Sequence, residues 1–390
     1  MAMLPTEILL DEILPKLPVK SLLRFKSVSK QFETLISSPN FILRHLRHSL
    51  SSATNRLLIT SEKGRLQSSD LDSPDNPPVP LPLPDFFRPS YEISMIGFCN
   101  GLLLLGSGAD FLLINPSTGF YSAIPGISGP VYYSRFGFGY DPVNDEYKIA
   151  AIDEHHIAVL NLSDKLWRIV DNSRADNVAS VPDGRLYAAV YDNHLCHWLN
   201  WCELRNRHRI VCFDLLIENW TRDIPLPNYN DNDDNSGDNS DTSQNFADLL
   251  FDECRDKRND VTALHVLNGF LSVLTRNNDD NSADGYDVWV MKEYGIKESW
   301  IKLLGFSDTR CTPLAFGGGS SSKVLCKTGS PGRNRLKWYI VRQKQYKNAE
   351  IHDVHGVKRL YDVCVVNGSL VSVPGGKRIR GNTQGGNRRW

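Results

Sequence analysis

The chain has 390 residues, of which 41% are hydrophobic and 23% are charged, and its formal net charge is −1 at pH 7. A nearly neutral chain has no overall field to attract nucleic acid or an anionic membrane surface, so neither partner is expected. No stretch reaches the ~18 apolar residues of a membrane-spanning helix, and the first residues lack the pattern of a secretory signal. This length predicts two or three globular domains.

The eight cysteines are scattered along the chain and form no C-x-x-C pair. In a chain without a secretory signal, this distribution predicts reduced and mostly buried thiols. We therefore expect a cytoplasmic or nuclear protein, or one found in both compartments.

Residues 4–48 carry apolar side chains at helical spacing, interrupted by helix-start signals. Pro18 suits a first helical turn, and Ser38-Pro39 is typical of an N-cap followed by proline. The pattern predicts three or four helices of two to three turns each.

A helical unit of this size cannot bury its own apolar residues well. Short helices are marginal alone, and fewer than ~50 residues bury too small a fraction of their surface. Two interpretations remain: the unit caps the rest of the chain, or it presents its surplus apolar surface to a partner protein.

The landmarks of residues 4–41 resemble an F-box, a short helical motif. They include Leu4-Pro5-x-Glu7, "LPVKSL" (17–22), Val28-Ser29-Lys30 and "LISxPxF" (35–41). The resemblance implies docking on a Skp-type adaptor, which is bound in turn to a cullin. Ser29 and Phe32 stand where the family often has Cys and Trp, and both keep similar size or apolar character.

We assign residues 1–50 to this F-box module, and its apolar landmarks are the candidate adaptor-binding residues. Part of the set must form the core of the module, and the sequence does not separate the two roles. The candidates are Leu4, Pro5, Ile8, Ile13, Leu14, Leu17, Pro18, Leu22, Leu23, Val28, Phe32 and Leu35.

From residue 57 onward, a strand-rich unit repeats about every 40–50 residues. Each copy has an apolar strand, an Asn/Asp-containing turn and a second strand that opens on an aromatic residue. The copies are "LLINPSTGFYSAIP" (112–125), "AVLNLSDKLWRIVD" (158–171), "VCFDLLIENWTRDIP" (211–225), "VWVMKEYGIKESWIKL" (288–303) and, more loosely, residues 337–354. Strands with Gly at a turn precede several copies, as in "CNGLLLLG" (99–106), and "VNGSLVSV" (366–373) is predicted to be another of this type.

This period is typical of β-propeller blades, which bury both faces only when they close into a ring. Five units lie within 96–354, and residues 56–72 with 363–373 complete a sixth. We predict an all-β propeller of six blades over 55–375, with seven blades as the alternative. A β-sandwich would not explain the regular repeat.

Two segments stand apart from the repeat. Residues 228–260 contain an acidic, apolar-poor run and predict a disordered insert between blades. Residues 376–390 predict a flexible basic tail.

The repeats also resemble the kelch-like, F-box-associated domain of plant F-box proteins. "IGFCNGLLLL" (96–105), "INPSTGFYSAIP" (114–125) and "FGFGYDPVNDEYKI" (136–149) carry this likeness, with the later repeats in the same order. The resemblance implies a non-catalytic subunit of a Skp–cullin–F-box ubiquitin ligase, which recognises a target protein and needs no cofactor.

Other motifs give weaker indications of function. A calcium frame starting at Asn232 has Ser243 where a bidentate Glu is needed, and the His and Cys residues within 194–212 fit no zinc spacing. "FGGGSSSKV" (316–324) lacks P-loop spacing, and the Pro-rich stretch 74–89 could be a polyproline ligand. The alternative functions are a propeller enzyme, such as a glycan-acting hydrolase or oxidase, and an adaptor-binding scaffold outside any ligase.

Overall fold

A computed structural model shows an N-terminal helical module followed by antiparallel sheets. The structure describes residues 8–52, 54–62, 64–73, 76–87, 93–107, 110–127, 135–152, 156–170, 189–202, 207–227, 261–277, 285–306, 311–317, 323–329, 335–348 and 362–378. The predicted insert 228–260 and residues 379–390 lie outside this set.

The helical module, residues 8–52, begins with a π-helical turn, Leu9–Ile13, and a 3-10 turn, Leu14–Lys16. Three α-helices follow: α1 (Val19–Lys26), α2 (Lys30–Ile36) and α3 (Pro39–Ser52). The starts of α2 and α3 are capped by serine, as the N–H groups of a first turn require. Ser29 Oγ accepts a hydrogen bond from the Phe32 N–H at 3.2 Å, and Ser38 Oγ accepts one from Phe41 at 3.3 Å.

The helices enclose a small core that also contains a residue from the far end of the chain. Its buried members are Leu14, Val19, Leu22, Ile36, Phe41 and Leu370. Because Leu370 follows the last long strand, the module packs against the remainder of the protein.

Twenty-five strands are described after the module. They are β1 (Arg56–Glu62), β2 (Arg65–Asp70), β3 (Val79–Leu81), β4 (Ser94–Cys99), β5 (Leu102–Ser107), β6 (Asp110–Asn115), β7 (Phe120–Ile124), β8 (Arg135–Asp141), β9 (Glu146–Ile152), β10 (Ile157–Asn161), β11 (Trp167–Val170), β12 (Ala189–Tyr191), β13 (Leu195–Cys202), β14 (Arg207–Asp214), β15 (Asn219–Trp220), β16 (Val261–Leu267), β17 (Phe270–Asn277), β18 (Gly285–Met291), β19 (Trp300–Phe306), β20 (Cys311–Phe316), β21 (Lys323–Thr328), β22 (Arg335–Ile340), β23 (Gln345–Asn348), β24 (Asp362–Asn367) and β25 (Lys377–Arg378).

These strands form six antiparallel sheets within the described residues. Blade 1 is β24-β1-β2-β3, blade 2 is β4 to β7 with β25 on its outer edge, and blades 3 to 6 take β8–β11, β12–β15, β16–β19 and β20–β23. The first strands of successive blades contact one another around a closed circle, from β24 through β4, β8, β12, β16 and β20 back to β24. The fold is therefore a six-bladed propeller, as predicted.

Blade 1 closes the ring by joining the two ends of the propeller. Strand β1 pairs antiparallel with β24, from Arg56 opposite Asn367 to Ser61 opposite Asp362. The Pro-rich stretch supplies β3 as the outermost strand, where Pro80 is tolerated because an edge strand can lack one donor. The predicted sixth unit is thus built from both termini.

The turns alternate between the two rims of the propeller because each blade is antiparallel. One rim carries the turn between the first and second strands of each blade and the turn between the third and fourth strands. We call it the upper rim. In blade 1, the paired ends Asn367 and Arg56 lie at this rim. Since the helical module ends just before β1, it joins the propeller at the upper rim, beside blades 1 and 2.

The Asn-Gly pairs of the sequence repeats form tight turns on this rim. Asn100 and Gly101 have φ of 51° and 79°, and Asn268 and Gly269 have φ of 53° and 81°. Two successive positive φ values are the requirement of a type I′ hairpin, which Asn-Gly satisfies with least strain. This geometry explains why "NG" recurs between the first two strands of blades 2 and 5.

The aromatic residue that opens a fourth strand connects neighbouring blades. Trp167 Nε1 donates to the carbonyl oxygen of Pro125 at 2.9 Å, and Trp300 Nε1 donates to that of Pro225 at 2.8 Å. In both cases the proline follows the outer strand of the preceding blade. The repeated aromatic residue and the proline of "IP" are therefore the donor and the acceptor of one hydrogen bond between blades.

A buried lysine joins blades 3 and 4 beneath the upper rim. Lys148 Nζ lies 2.8 Å from Asp141 Oδ2, 3.0 Å from Glu218 Oε1 and 2.8 Å from the carbonyl oxygen of Leu215. Burial alone would raise the pKa of Asp141, but hydrogen bonds from Lys148, Asn144 and backbone N–H groups lower it below its ordinary value. The carboxylate is therefore charged at neutral pH and paired, as a buried charge must be.

The end of the propeller differs from the prediction in two places. Strand β24 stops at Asn367, so "VNGSLVSV" forms no Gly-turned hairpin, because β1 already occupies the position of the next strand. Instead, Asn115 Nδ2 donates to the carbonyl oxygens of Ser369 at 3.0 Å and Val371 at 2.8 Å. Lys377–Arg378 then pairs with β7, so ordered structure continues past residue 375 into the predicted tail.

Candidate functional site

The helical module separates the candidate adaptor-binding residues into distinct groups. Leu4 and Pro5 lie outside the described residues. Leu14 and Leu22 are buried in the core of the module, and Leu17, Leu23, Phe32 and Leu35 are half-buried against that core. The exposed members are Ile8, Ile13, Pro18 and Val28.

Phe25 is an exposed apolar residue that the sequence analysis did not include. It lies in the last turn of α1, and its ring centroid is 5.8 Å from that of Phe32 on α2. With Val28, which is 68% exposed, these rings form an apolar patch at the junction of α1 and α2. Helical phase identifies the buried Val19 and Leu22, whereas the ring of Phe25 contacts Phe32 on one side and stays 37% exposed.

The side chains around this patch are mostly cationic. Lys20, Arg24 and Lys30 are exposed, and Lys26 is half-buried beside them. Burial lowers the pKa of Lys26, while the carboxylate of Glu33 opposes that shift. The patch is thus apolar at its centre and basic at its margin.

The module is attached to the propeller through α3 and the residues that flank the ring closure. Asn367 Nδ2 donates to the Ser49 carbonyl oxygen at 3.2 Å, and Asn55 Nδ2 donates to Ser49 Oγ at 3.3 Å. The Gly368 N–H donates to the carbonyl oxygen of Asn55 at 2.6 Å. These contacts, together with Leu370 in the helical core, orient the apolar patch relative to the propeller.

The upper rim also exposes large apolar side chains in turns of other blades. Val143 and Leu166 belong to blade 3, Ile217 to blade 4 and Ile296 to blade 5. These turns project from the sheets, as recognition loops on a rigid scaffold commonly do. The rim is therefore a second surface with exposed apolar groups.

Two of the His and Cys residues within 194–212, His197 and Cys212, take part in packing between blades. His197 Nε2 lies 2.6 Å from the Tyr294 hydroxyl of blade 5, and Cys212 Sγ lies 3.5 Å from the same oxygen. Burial raises the pKa of the Cys196 and Cys99 thiols, so both are protonated at neutral pH.

Neither a metal-binding cluster nor a membrane-spanning helix is found among the described residues. They contain no group of three His, Cys, Asp or Glu side chains arranged to hold a metal ion. Their helices include none that is long and apolar enough to cross a membrane. The calcium frame lies outside the described ranges, as does the centre of "FGGGSSSKV".

Comparison with known proteins identifies the two parts of the chain. Residues 2–44 match the F-box domain, and residues 66–373 match the F-box associated beta propeller domain. The chain is an F-box protein. Because the two matches cover most of its length, the predicted family is confirmed.

Curated relatives of this F-box protein are found in Arabidopsis thaliana. F-box protein CPR1 is 27% identical, over 90% of this chain and 86% of that protein. An F-box/kelch-repeat protein of the same plant is 29% identical, over 77% of this chain and 79% of that protein. The match to F-box protein CPR1 is long enough to include residues of both the helical and the propeller parts.

The boundaries of the two matches show which contacts lie outside the family motifs. The F-box match ends at residue 44, whereas α3 of this F-box protein continues to Ser52 and carries Ser49. The propeller match begins at residue 66 and leaves out β1, which pairs with β24 in the blade that closes the ring. Attachment of the F-box and closure of the ring thus depend partly on residues outside the two matched ranges.

Proposed function

We propose that this F-box protein is the target-recognition subunit of a Skp–cullin–F-box ubiquitin ligase. The F-box docks on a Skp-type adaptor, and through it on a cullin, while the propeller holds a target protein. The family membership supports the adaptor role in general, and the exposed patch at the junction of α1 and α2 supports the docking step.

The exposed apolar residues of the F-box are the observation that carries the proposal. Ile8, Ile13, Phe25 and Val28 all face solvent in a module of fewer than fifty residues. A partner that covers them would recover roughly 1.5–3 kcal/mol for each side chain that becomes fully buried. Leu14 and Leu22 support this surface from inside the module rather than by direct contact.

The proposed role requires no bond-making by this chain. Holding a target near the ubiquitin-conjugating subunit turns a bimolecular encounter into a local one, and the effective concentration can reach the millimolar range. The increase in effective concentration depends on geometry, because it disappears when the bound target cannot reach the conjugating subunit. The fixed junction between F-box and propeller suits this requirement. We expect the protein to act in the cytoplasm, the nucleus or both.

Co-purification of the Skp-type adaptor with single-residue variants tests the docking step. Val28 and Leu166 are both 68% exposed, so Val28→Glu and Leu166→Glu place a charge at equally accessible sites on the F-box and on the propeller. We expect Val28→Glu to lose most adaptor binding and Leu166→Glu to keep it. Equal adaptor recovery with both variants would contradict the proposed patch. Deletion of the module is a poorer test, because it would expose Leu370.

Target turnover distinguishes a ligase subunit from an adaptor-binding scaffold. Candidate targets are proteins that co-precipitate equally with the native chain and with Val28→Glu. Their abundance and lifetime are compared between cells that express one chain or the other. If the chain acts in a ligase, some of these proteins should be more abundant and longer-lived with Val28→Glu. Unchanged lifetimes for all of them would favour the scaffold.

A further inference from the structure

A cavity of about 340 Å³ opens between blades 5 and 6 at the upper rim. Its walls come from the ends of strands and the turns of that rim, on two different sheets. The lining residues are Leu267, Asn268, Phe270, Val290, Lys292, Leu303, Leu304, Phe316, Gly317 and Val341. We call this cavity the rim pocket.

The walls of the rim pocket are mainly apolar. Leu267, Val290 and Leu304 are buried members of the blade packing, whereas Phe270, Leu303, Phe316 and Val341 keep part of their surface open. The volume lies within the range of pockets that enclose a ligand. The free energy of binding is most favourable when an apolar group covers the exposed apolar walls of such a recess and removes them from water.

The polar surroundings of the rim pocket carry positive charge. Lys292 lines the pocket, and its Nζ lies 4.5 Å from the centroid of the Phe270 ring. Arg342 and Lys344 are exposed in the turn that begins with Val341. Glu293 is exposed in the turn after Lys292 but does not line the pocket.

We propose that the rim pocket recognises an acidic segment of the target protein that inserts one aromatic or branched aliphatic side chain. The side chain fills the recess, and a neighbouring carboxylate pairs with Lys292 at its mouth. This assignment rests on the proposed function, since it names the chemistry of the target that the propeller would hold. The apolar anchor supplies affinity, and the charges select acidic over basic flanking residues.

The position of the rim pocket relative to the F-box fits this role. The F-box is attached beside blades 1 and 2, and the pocket lies between blades 5 and 6 on the same rim. A peptide in the pocket would therefore lie on the same face of the propeller as the F-box.

Peptide display on the full-length protein, purified with its Skp-type adaptor, tests the anchor. Random peptides selected on the native chain should be enriched in one large apolar residue with Asp or Glu one or two positions away. Val341→Trp would fill the pocket, and Val143→Trp makes the same change in a rim turn of blade 3 that does not line it. A selected peptide, synthesised with a fluorophore, should bind about tenfold or more weakly to Val341→Trp and unchanged to Val143→Trp.

Charge reversal tests the contribution of Lys292 separately. Lys292→Glu should weaken the acidic peptide several-fold and strengthen a copy in which its Asp and Glu residues are replaced by Lys. Arg65→Glu places the same reversal beside the β1–β2 turn, on the opposite rim, and should change neither affinity.

Three results would overturn the inference. They are selected peptides without an apolar anchor, selected peptides flanked by basic residues, and equal binding to Val341→Trp and Val143→Trp. Adaptor recovery is measured on the same samples. If peptides bind the pocket as described but Val28→Glu retains the adaptor, the docking proposal is wrong and the pocket proposal is supported. If Val28→Glu loses the adaptor but peptides do not bind the pocket as described, the docking proposal is supported and the pocket proposal is wrong.

Discussion

His45 is a buried titratable side chain of the F-box. Its ring has no exposed surface, and Nε2 donates to the carbonyl oxygen of Leu17 at 3.0 Å. Burial lowers the pKa of His45, the hydrogen bond to Leu17 opposes the shift, and the nearby His48 adds to it. The folded module therefore favours the neutral ring.

We expect acid to weaken the F-box through His45. A histidine whose pKa is lower in the folded state stabilises the fold fully above its unfolded pKa of about 6.5, and this contribution is lost as pH falls toward the folded pKa. His45→Gln removes the titrating group and keeps a donor for Leu17. From pH 7 to pH 5, the native module should lose more unfolding free energy than the variant.

Hydrogen exchange of the α3 amides, corrected for the intrinsic rate at each pH, measures this difference. The other histidines are common to both chains and cancel in the comparison. Parallel pH curves for native protein and His45→Gln would show that burial of His45 does not control the acid response.

At the scale of elements, the junction between α3 and the segment after β24 determines how the F-box sits on the propeller. Leu370 inserts into the helical core, while Asn115 holds the carbonyl oxygens on either side of it at Ser369 and Val371. The same short segment thus touches blade 2 and the F-box. This arrangement limits the movement of one part relative to the other.

Leu370→Ala should loosen that junction. Truncation of a buried leucine typically costs about 2–5 kcal/mol, because apolar contact is lost and a cavity remains. We expect a loss in this range for the F-box in chemical denaturation, with faster proteolysis between the F-box and β1. Leu43→Ala, at an exposed site on α3, should change stability by less than about 0.5 kcal/mol. Similar proteolysis of both variants would argue against Leu370 as the anchor.

For the whole molecule, closure of the propeller depends on a strand from the end of the chain. Strand β24 is the inner strand of blade 1 and contacts the inner strands of both neighbouring blades. Without it, β1 would present an unpaired edge, and the ring would lose one of the contacts that complete the circle. Stability of every blade is therefore linked to residues 362–367.

A chain that ends at residue 361 should fail to form a stable propeller. We expect aggregation or a non-cooperative thermal transition, because the open ring exposes apolar faces and a free strand edge. A chain that ends at residue 378 keeps β24 and β25 and serves as the control. Size-exclusion chromatography and thermal unfolding compare them, and a monomeric, cooperatively melting 1–361 chain would contradict closure by β24.

Local patterns in the sequence were sufficient for much of the fold. Asn-Gly turns recur in blades 2 and 5, and Trp167 and Trp300 each donate to a proline carbonyl of the preceding blade. Together with the strand pattern, this recurrence allowed the propeller and its six blades to be predicted. Serine caps at Ser29 and Ser38 likewise act within a few residues. The F-box landmarks were recognisable for the same reason.

Several features depended on contacts between residues far apart in sequence. Leu14 and Val28 look equally apolar in the sequence, yet one is enclosed by α1, α3 and Leu370 while the other faces solvent. The rim pocket combines Phe270 and Lys292 of blade 5 with Phe316 and Val341 of blade 6. No local pattern signals such a combination.

The sequence by itself therefore determined the family, the order of the two parts and the repeating blade, because each rests on periodicity and turn chemistry among near neighbours. Only the tertiary structure decided which F-box side chains remain exposed, where the F-box is attached and where an apolar recess meets a lysine. These are properties of surfaces formed when distant segments pack, and burial is not defined until that packing exists.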